Sequence, residues 1–191
     1  MNLGVCLADD MGLGKTIQTL ALMQWLVNED RGQILIVVPT SLIHNWISEI
    51  NKFCTDIRVL NHTGLNRAES AITFNGYNVI LTTYAILRRD KHIFTELLFD
   101  YCILDESQYI KNPKSDTAKT SYDLSANHYL CLSGTPIENS ISDLWSQINF
   151  LNNGILGGHN HFLKSFKQKD NLDLYHKLVL HFCCGVKKMR Y

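Results

Sequence analysis

Five short apolar runs punctuate the chain, at residues 5–8, 34–38, 79–81, 101–104 and 129–132. They are rich in Val, Ile, Leu and Cys and lack the polar alternation of a sheet with one wet face. Such runs predict strands buried on both faces. Stretches of helical period lie between them. Residues 15–27 are apolar almost all round, which predicts a helix packed in the middle of a domain. Residues 41–53 predict an amphipathic helix, with Leu42, Ile43, Trp46, Ile47, Ile50 and Phe53 on one face. His44, Asn45, Ser48, Glu49 and Lys52 take the other face. Thr40 or Ser41 has the short side-chain oxygen that can cap this helix. Strands alternating with helices predict an α/β domain with a mostly parallel central sheet.

Ligands of such sheets sit at the carboxyl ends of the strands. The chain places its most reactive residues there. Asp9 and Asp10 follow the first run, and Pro39 and Thr40 the second. Thr82, Thr83 and Tyr84 follow the third, and Asp105 and Glu106 the fourth. Ser133, Gly134, Thr135 and Pro136 follow the fifth. Five such motifs on one rim carry more weight than any one of them. After Phe150 the pattern changes. Asn152, Asn153 and Gly154, then Gly157 and Gly158, read as turns. Short helices are predicted near 161–166 and 172–182, and Lys187, Lys188 and Arg190 form a basic tail. The expected division is a main domain over 1–151 and a helical extension over 152–191.

Composition narrows this picture only a little. The chain has 191 residues, with 18 Lys plus Arg against 18 Asp plus Glu. Any nucleic-acid contact must therefore use a local patch rather than the whole surface. No apolar run reaches the roughly 18 residues a membrane span needs, and the N-terminus lacks a signal-peptide pattern. Cys6, Cys102 and Cys131 sit inside apolar runs, and with no Cys-x-x-Cys spacing the cysteines read as reduced thiols. His159, Asn160 and His161 read as a solvated loop. Trp25, Trp46 and Trp145 read as core or interface anchors.

Two segments carry chemistry. Gly12-Leu13-Gly14-Lys15-Thr16 ends at the start of the first helix. Its glycines allow a tight turn that brings backbone amides to phosphate oxygens, aided by the positive end of the helix. Asp10, Met11, Gly12, Leu13, Gly14, Lys15 and Thr16 are thus the candidate nucleotide cradle. Lys15 can reach the β- and γ-phosphates, and Thr16 can place its hydroxyl on Mg²⁺. Asp9 stands where a Walker loop has its first Gly. Asp105 and Glu106, at the end of a buried strand, supply the second half of such a site. Asp105 would hold Mg²⁺ through water, and Glu106 would orient and deprotonate an attacking water.

Residues 7–18 and 132–139 resemble motifs I and III of the SWI/SNF family of helicase-like, DNA-translocating ATPases. Asp105-Glu106-Ser107-Gln108, with Tyr109-Ile110-Lys111-Asn112, resembles motif II. Pro39-Thr40-Ser41-Leu42 with Asn45-Trp46 resembles motif Ia, and Thr82-Thr83-Tyr84 the next motif along the DNA path. The likeness covers about 3–151 and accounts for Asp9, because this superfamily does not keep the first Walker glycine. It implies a RecA-like lobe that binds ATP and Mg²⁺, with Lys15, Thr16, Asp105 and Glu106 serving hydrolysis. It implies that Gln108 links the γ-phosphate region to motif III. It also implies that Ser133, Gly134 and Thr135 couple nucleotide state to the DNA groove. Ser41, Asn45, Thr82 and Thr83 would lie near the backbone of double-stranded DNA, although ordinary capping explains such hydroxyls equally well from chemistry alone.

The resemblance also implies a partner. The family's motor holds ATP between two RecA-like lobes, and arginines of the second lobe reach the γ-phosphate. No candidate for them stands in this sequence, so the lobe is expected to bind ATP·Mg²⁺ and hydrolyse it poorly alone. Only seven residues precede Ala8, short of the family's adenine-holding segment. The end, Phe182-Cys183-Cys184-Gly185-Val186-Lys187-Lys188, departs from the family's Phe-x-Leu-Arg-Arg-like run. The chain therefore reads as an excised lobe or a fragment of a disrupted motor gene, placed in a bacterial nucleoid or a nucleus. A lobe of a strand-separating helicase and a non-hydrolysing remnant that holds nucleotide or DNA stay open as alternatives.

Overall fold

The computed structural model describes residues 4–8, 14–65, 67, 69–134, 141–167 and 182–184. Its strands are β1 (Val5–Leu7), β2 (Ile34–Val38), β3 (Val59–Asn61), β4 (Val79–Thr83), β5 (Leu98–Asp105), β6 (Ser125–Leu132) and β7 (Cys183–Cys184). They form one sheet in the order β3-β4-β2-β5-β6-β1-β7. Every pairing is parallel, with Ile36 level with Leu81 on one side and Ile103 on the other. The α/β class and parallel sheet expected from the sequence are what the chain adopts. All five apolar runs become strands, and β5 and β6 extend well before the runs that announced them. β3 and β7 went unread, because β3 is a three-residue, half-exposed edge strand and β7 has only two residues.

Helices cover both faces. They are α1 (Lys15–Asn28), α2 (Ile43–Phe53), α3 (Tyr84–Arg89), α4 (Lys91–Thr95), α5 (Asp116–Tyr122), α6 (Ile141–Leu151) and α7 (His159–Lys167). Successive strand residues point to opposite faces, and the core divides accordingly. Ile34, Ile36 and Val38 meet Leu20, Met23 and Leu26 of α1 and Ile43, Trp46 and Ile50 of α2. Leu35, Val37, Cys102 and Leu104 meet Leu87, Phe94, Ala118 and Phe150 on the other side. The predicted helix over 172–182 lies outside the described residues, apart from Phe182, which packs on Leu144 and Ile148 of α6.

Local details correct several expectations. Neither Thr40 nor Ser41 caps α2. A short 3-10 turn over Thr40–Leu42 leads into it with no side-chain cap. Trp25 is 53% exposed, which excludes the core half of its reading and leaves the interface half open, and Phe53 also faces solvent, with Lys52 over its ring. The histidine loop is the start of α7, where His159 bonds Ser142 Oγ at 2.8 Å. Gly4 closes the fold: a Cβ there would lie 2.5 Å from the Leu151 carbonyl oxygen. The amide of Gly4 instead donates to Asn152 Oδ1 at 3.0 Å. No helix among the described residues is long and apolar enough to cross a membrane.

A buried polar corner lies behind the C-terminal ends of β3 and β4. His62 is fully buried between the edges of Phe74 and Phe94, with Nε2 3.0 Å from Asp90 Oδ2. Arg67 grips both oxygens of Asp90. Burial pushes His62 below its ordinary pKa, against the pull of Asp90. The Arg67 guanidinium holds Asp90 below the usual carboxylate range. The unfolded chain therefore binds a proton at His62 before the folded chain does, and stability falls as pH drops through about 6.5. Loss of Asp90's charge adds a second fall below about 4. His159, also lowered by burial, acts in the same direction, whereas Asp105, raised by burial, opposes it. Thermal midpoints measured from pH 8 to 3 should show the first fall clearly reduced in His62→Phe relative to the parent. Superimposable slopes between pH 7 and 5 would show that His62 is not its source.

Candidate functional site

The C-terminal ends of the strands bring together most of the residues singled out from the sequence. At the start of α1, Gly14 has φ of 83°, a left-handed conformation that favours glycine. A Cβ there would also approach Ile17 Cγ2 to 3.2 Å. Among the described residues no side chain caps α1, and its first turn contains no acid. The first amides of a helix point out along its axis, so this end has donors and a positive dipole suited to an anion, with Lys15 as the first residue of the helix. Thr16 follows, half-buried. Asp9, Asp10, Met11, Gly12 and Leu13 lie outside the described residues, as does Thr135.

Asp105 ends β5 and is buried. Its Oδ2 accepts from the Trp46 indole Nε1–H at 2.8 Å, and its Oδ1 from the Glu106 amide at 2.9 Å. Its backbone carbonyl accepts from the Tyr84 hydroxyl at 2.7 Å. Burial raises the Asp105 carboxyl above its ordinary pKa. The Trp46 and Glu106 donors and the Lys15 charge oppose that rise, while Glu106 adds to it. An acid in this setting keeps its charge only while donors and a cation face it.

Glu106 sits at φ 50° and ψ 55°, left-handed for a residue with a Cβ. That conformation costs about 1–2 kcal/mol and turns the chain directly into a 3-10 helix, Ser107–Ile110. The turn returns Gln108 onto its neighbour: Gln108 Nε2 donates to Glu106 Oε2 at 2.6 Å. Ser133 Oγ approaches Gln108 Oε1 at 3.5 Å, and the Ser133 amide donates to the Leu7 carbonyl at 3.1 Å. Glu106, Gln108 and Ser133 thus form a polar chain from the end of β5 to the end of β6, with Gly134 next in line. Ser107 Oγ lies 3.2 Å from Gln147 Oε1 on α6, which braces the same turn from behind.

The candidates for a nucleic-acid surface separate into two kinds. Ser41 and Asn45 are exposed on the turn before α2 and on its first turn. Thr82 and Thr83 are buried. Thr82 Oγ1 donates to the His62 carbonyl at 2.9 Å, and Thr83 Oγ1 caps α3 by accepting from the Ile86 amide at 3.2 Å. Both hydroxyls serve the protein's own backbone in this structure. Gln147 escaped sequence reasoning as a member of the site, and Trp46 and Tyr84, although they lie in rim motifs, were not read as partners of Asp105. Nothing in their spacing reveals a polar contact across tens of residues, and a Trp in an apolar stripe reads as core.

The Tyr84 ring is buried and stacks on Tyr109 at 4.8 Å between centroids. Tyr84→Phe keeps that packing and leaves the Asp105 carbonyl without its donor. It should lower unfolding free energy by about 1–2 kcal/mol. Guanidinium unfolding checks this, and an unchanged midpoint would contradict the role.

Comparison with known proteins places this arrangement. Residues 1–184 match the family model of the SNF2-related domain. The chain is 40% identical over 172 residues to TATA-binding protein-associated factor BTAF1 of Arabidopsis thaliana, covering 84% of this chain and 8% of that protein. It is 37% identical over 168 residues to the putative ATP-dependent helicase/translocase YwqA of Bacillus subtilis, covering 85% and 18%. The Sulfolobus solfataricus SWI2/SNF2 ATPase core, solved in complex with dsDNA, superposes with a TM-score of 0.89 at 36% identity. That match covers 98% of this chain and 41% of that one. The chain therefore spans a small part of the curated relatives it matches.

Proposed function

Because the chain belongs to the SNF2-related domain family, we propose that it is the ATP- and Mg²⁺-binding first RecA-like lobe of a SWI/SNF-type ATPase acting on double-stranded DNA. The observation that carries this reading is the meeting at one rim of a helix start bearing Lys15 and Thr16 with a buried, donor-held Asp105. Residues 1–151 form the lobe in this reading, and 152–191 form its extension.

The donor set suits the ligand. Amides at the start of α1 and the Lys15 ammonium meet phosphate oxygens. The Thr16 hydroxyl and the Asp105 carboxylate are hard oxygen ligands of the kind Mg²⁺ takes, and a carboxylate whose oxygens already accept other donors suits contact through water. Mg²⁺, when bound, neutralises charge developing on the phosphate. Glu106 accepts a proton from the attacking water. Gln108 holds the Glu106 carboxylate and passes its position on to Ser133, Gly134 and Thr135. Ser41 and Asn45 are the exposed groups offered to the DNA backbone, while Thr82 and Thr83 shape the neighbouring surface from below.

Turnover requires a second lobe. Arginines contributed across the cleft are worth about 10³–10⁵ in rate, so this lobe alone binds nucleotide and turns it over slowly. The nucleoid or the nucleus is where such a motor meets DNA. Calorimetric titration with ATP in excess Mg²⁺ should give a saturable signal in the parent and none in Lys15→Ala. Equal affinity in the two would overturn the assignment of the phosphate cradle.

A further inference from the structure

Trp46 sits in the middle of α2, and only 1% of its surface is exposed. Its neighbours on the buried face, Ile43 and Ile50, carry no polar side-chain atom. The indole has a single donor, and that donor is committed to Asp105 Oδ2 at 2.8 Å, across 59 residues of chain. An apolar side chain would fill the same place in the core. The choice of an indole matters to the carboxylate rather than to the packing.

Resting on the reading of Asp105 as a holder of the nucleotide's cation, we propose that Trp46 is a positioning residue for that cation. It fixes the rotation of the Asp105 carboxylate through its hydrogen bond to Oδ2. A carboxylate has about four acceptor positions. Trp46 and the Glu106 amide take one on each oxygen, which leaves an acceptor on each for water in the cation's shell. Without the indole N–H, Oδ2 loses its donor in a buried setting, and the carboxylate can rotate. Groups of this kind, one step removed from a metal, typically change its affinity by about 10–100-fold when deleted.

Trp46→Phe removes the N–H and keeps an aromatic ring. ATP affinity is measured by calorimetry on the whole chain, in EDTA and across a series of Mg²⁺ concentrations. The variant should bind metal-free ATP within about twofold of the parent and need about tenfold more Mg²⁺ for half of the metal effect. A packing role alone would move the two affinities together or leave both unchanged. A Mg²⁺ midpoint equal to the parent's, while Asp105→Asn abolishes Mg²⁺ dependence, overturns the proposal and leaves the functional reading intact. A parent chain with no Mg²⁺ dependence overturns both. Should Trp46→Phe fail to fold, the parent's indole N–H resonances give the second readout. Adding Mg²⁺ to the ATP-bound chain should shift the Trp46 signal and leave that of Trp145 in place, and an unmoved Trp46 signal overturns the proposal.

Discussion

A carboxylate buried at the end of a central strand is costly unless donors surround it, and much of this molecule is arranged around that constraint at Asp105. An uncompensated charge in such a place would cost several kcal/mol, a large share of the about 5–15 kcal/mol that holds a domain together. Three donors meet the Asp105 residue. The Trp46 indole and the Glu106 amide reach the carboxylate, and the Tyr84 hydroxyl reaches the backbone carbonyl. Each fixes an element. Trp46 sets where α2 lies against β5. Tyr84 sets the start of α3. The Glu106 amide is available because the chain turns through a left-handed residue there.

The same arrangement links the two ends of the rim by hydrogen bonds. Glu106 leaves the strand in a strained conformation, and Gln108 and Ser133 continue its polar contacts to β6. Gln147 braces the turn from α6 through Ser107. A shift at Glu106 therefore bears on β6 and α6 through hydrogen bonds rather than through loose loops. On the opposite side, the buried hydroxyls of Thr82 and Thr83 bind β4 to the His62 loop and to α3. That leaves Thr40, Ser41 and Asn45 as the exposed polar groups of the two motifs.

Much of the fold was legible because burial on both faces leaves a simple trace. Ile34–Val38 is apolar at every position and is buried at every position. The edge strand Val59–Asn61 left no such trace, since its residues are only partly covered. Tertiary context overrode pattern at Trp25, whose helix is apolar all round yet presents that ring to solvent. At the site, residue types announced the glycine-led start of α1 and the acids after β5, because those features are local in sequence. The partners of those acids are not local. Trp46 and Gln147 stand 59 and 40 residues from the groups they contact, and no periodicity encodes a contact made by folding. The positive φ of Glu106 was equally hidden, because Glu has no preference for that conformation.

We read the helix start at Lys15 and Thr16 and the buried Asp105 as one half of a metal–nucleotide site. Anomalous diffraction from crystals of the chain grown with Mn²⁺ and a non-hydrolysable ATP analogue locates the cation directly. The account predicts one peak beside the Thr16 hydroxyl, bridged by water to the Asp105 carboxylate, with the analogue's phosphates on the amides that open α1. A cation and phosphates bound away from both Thr16 and Asp105 would contradict it.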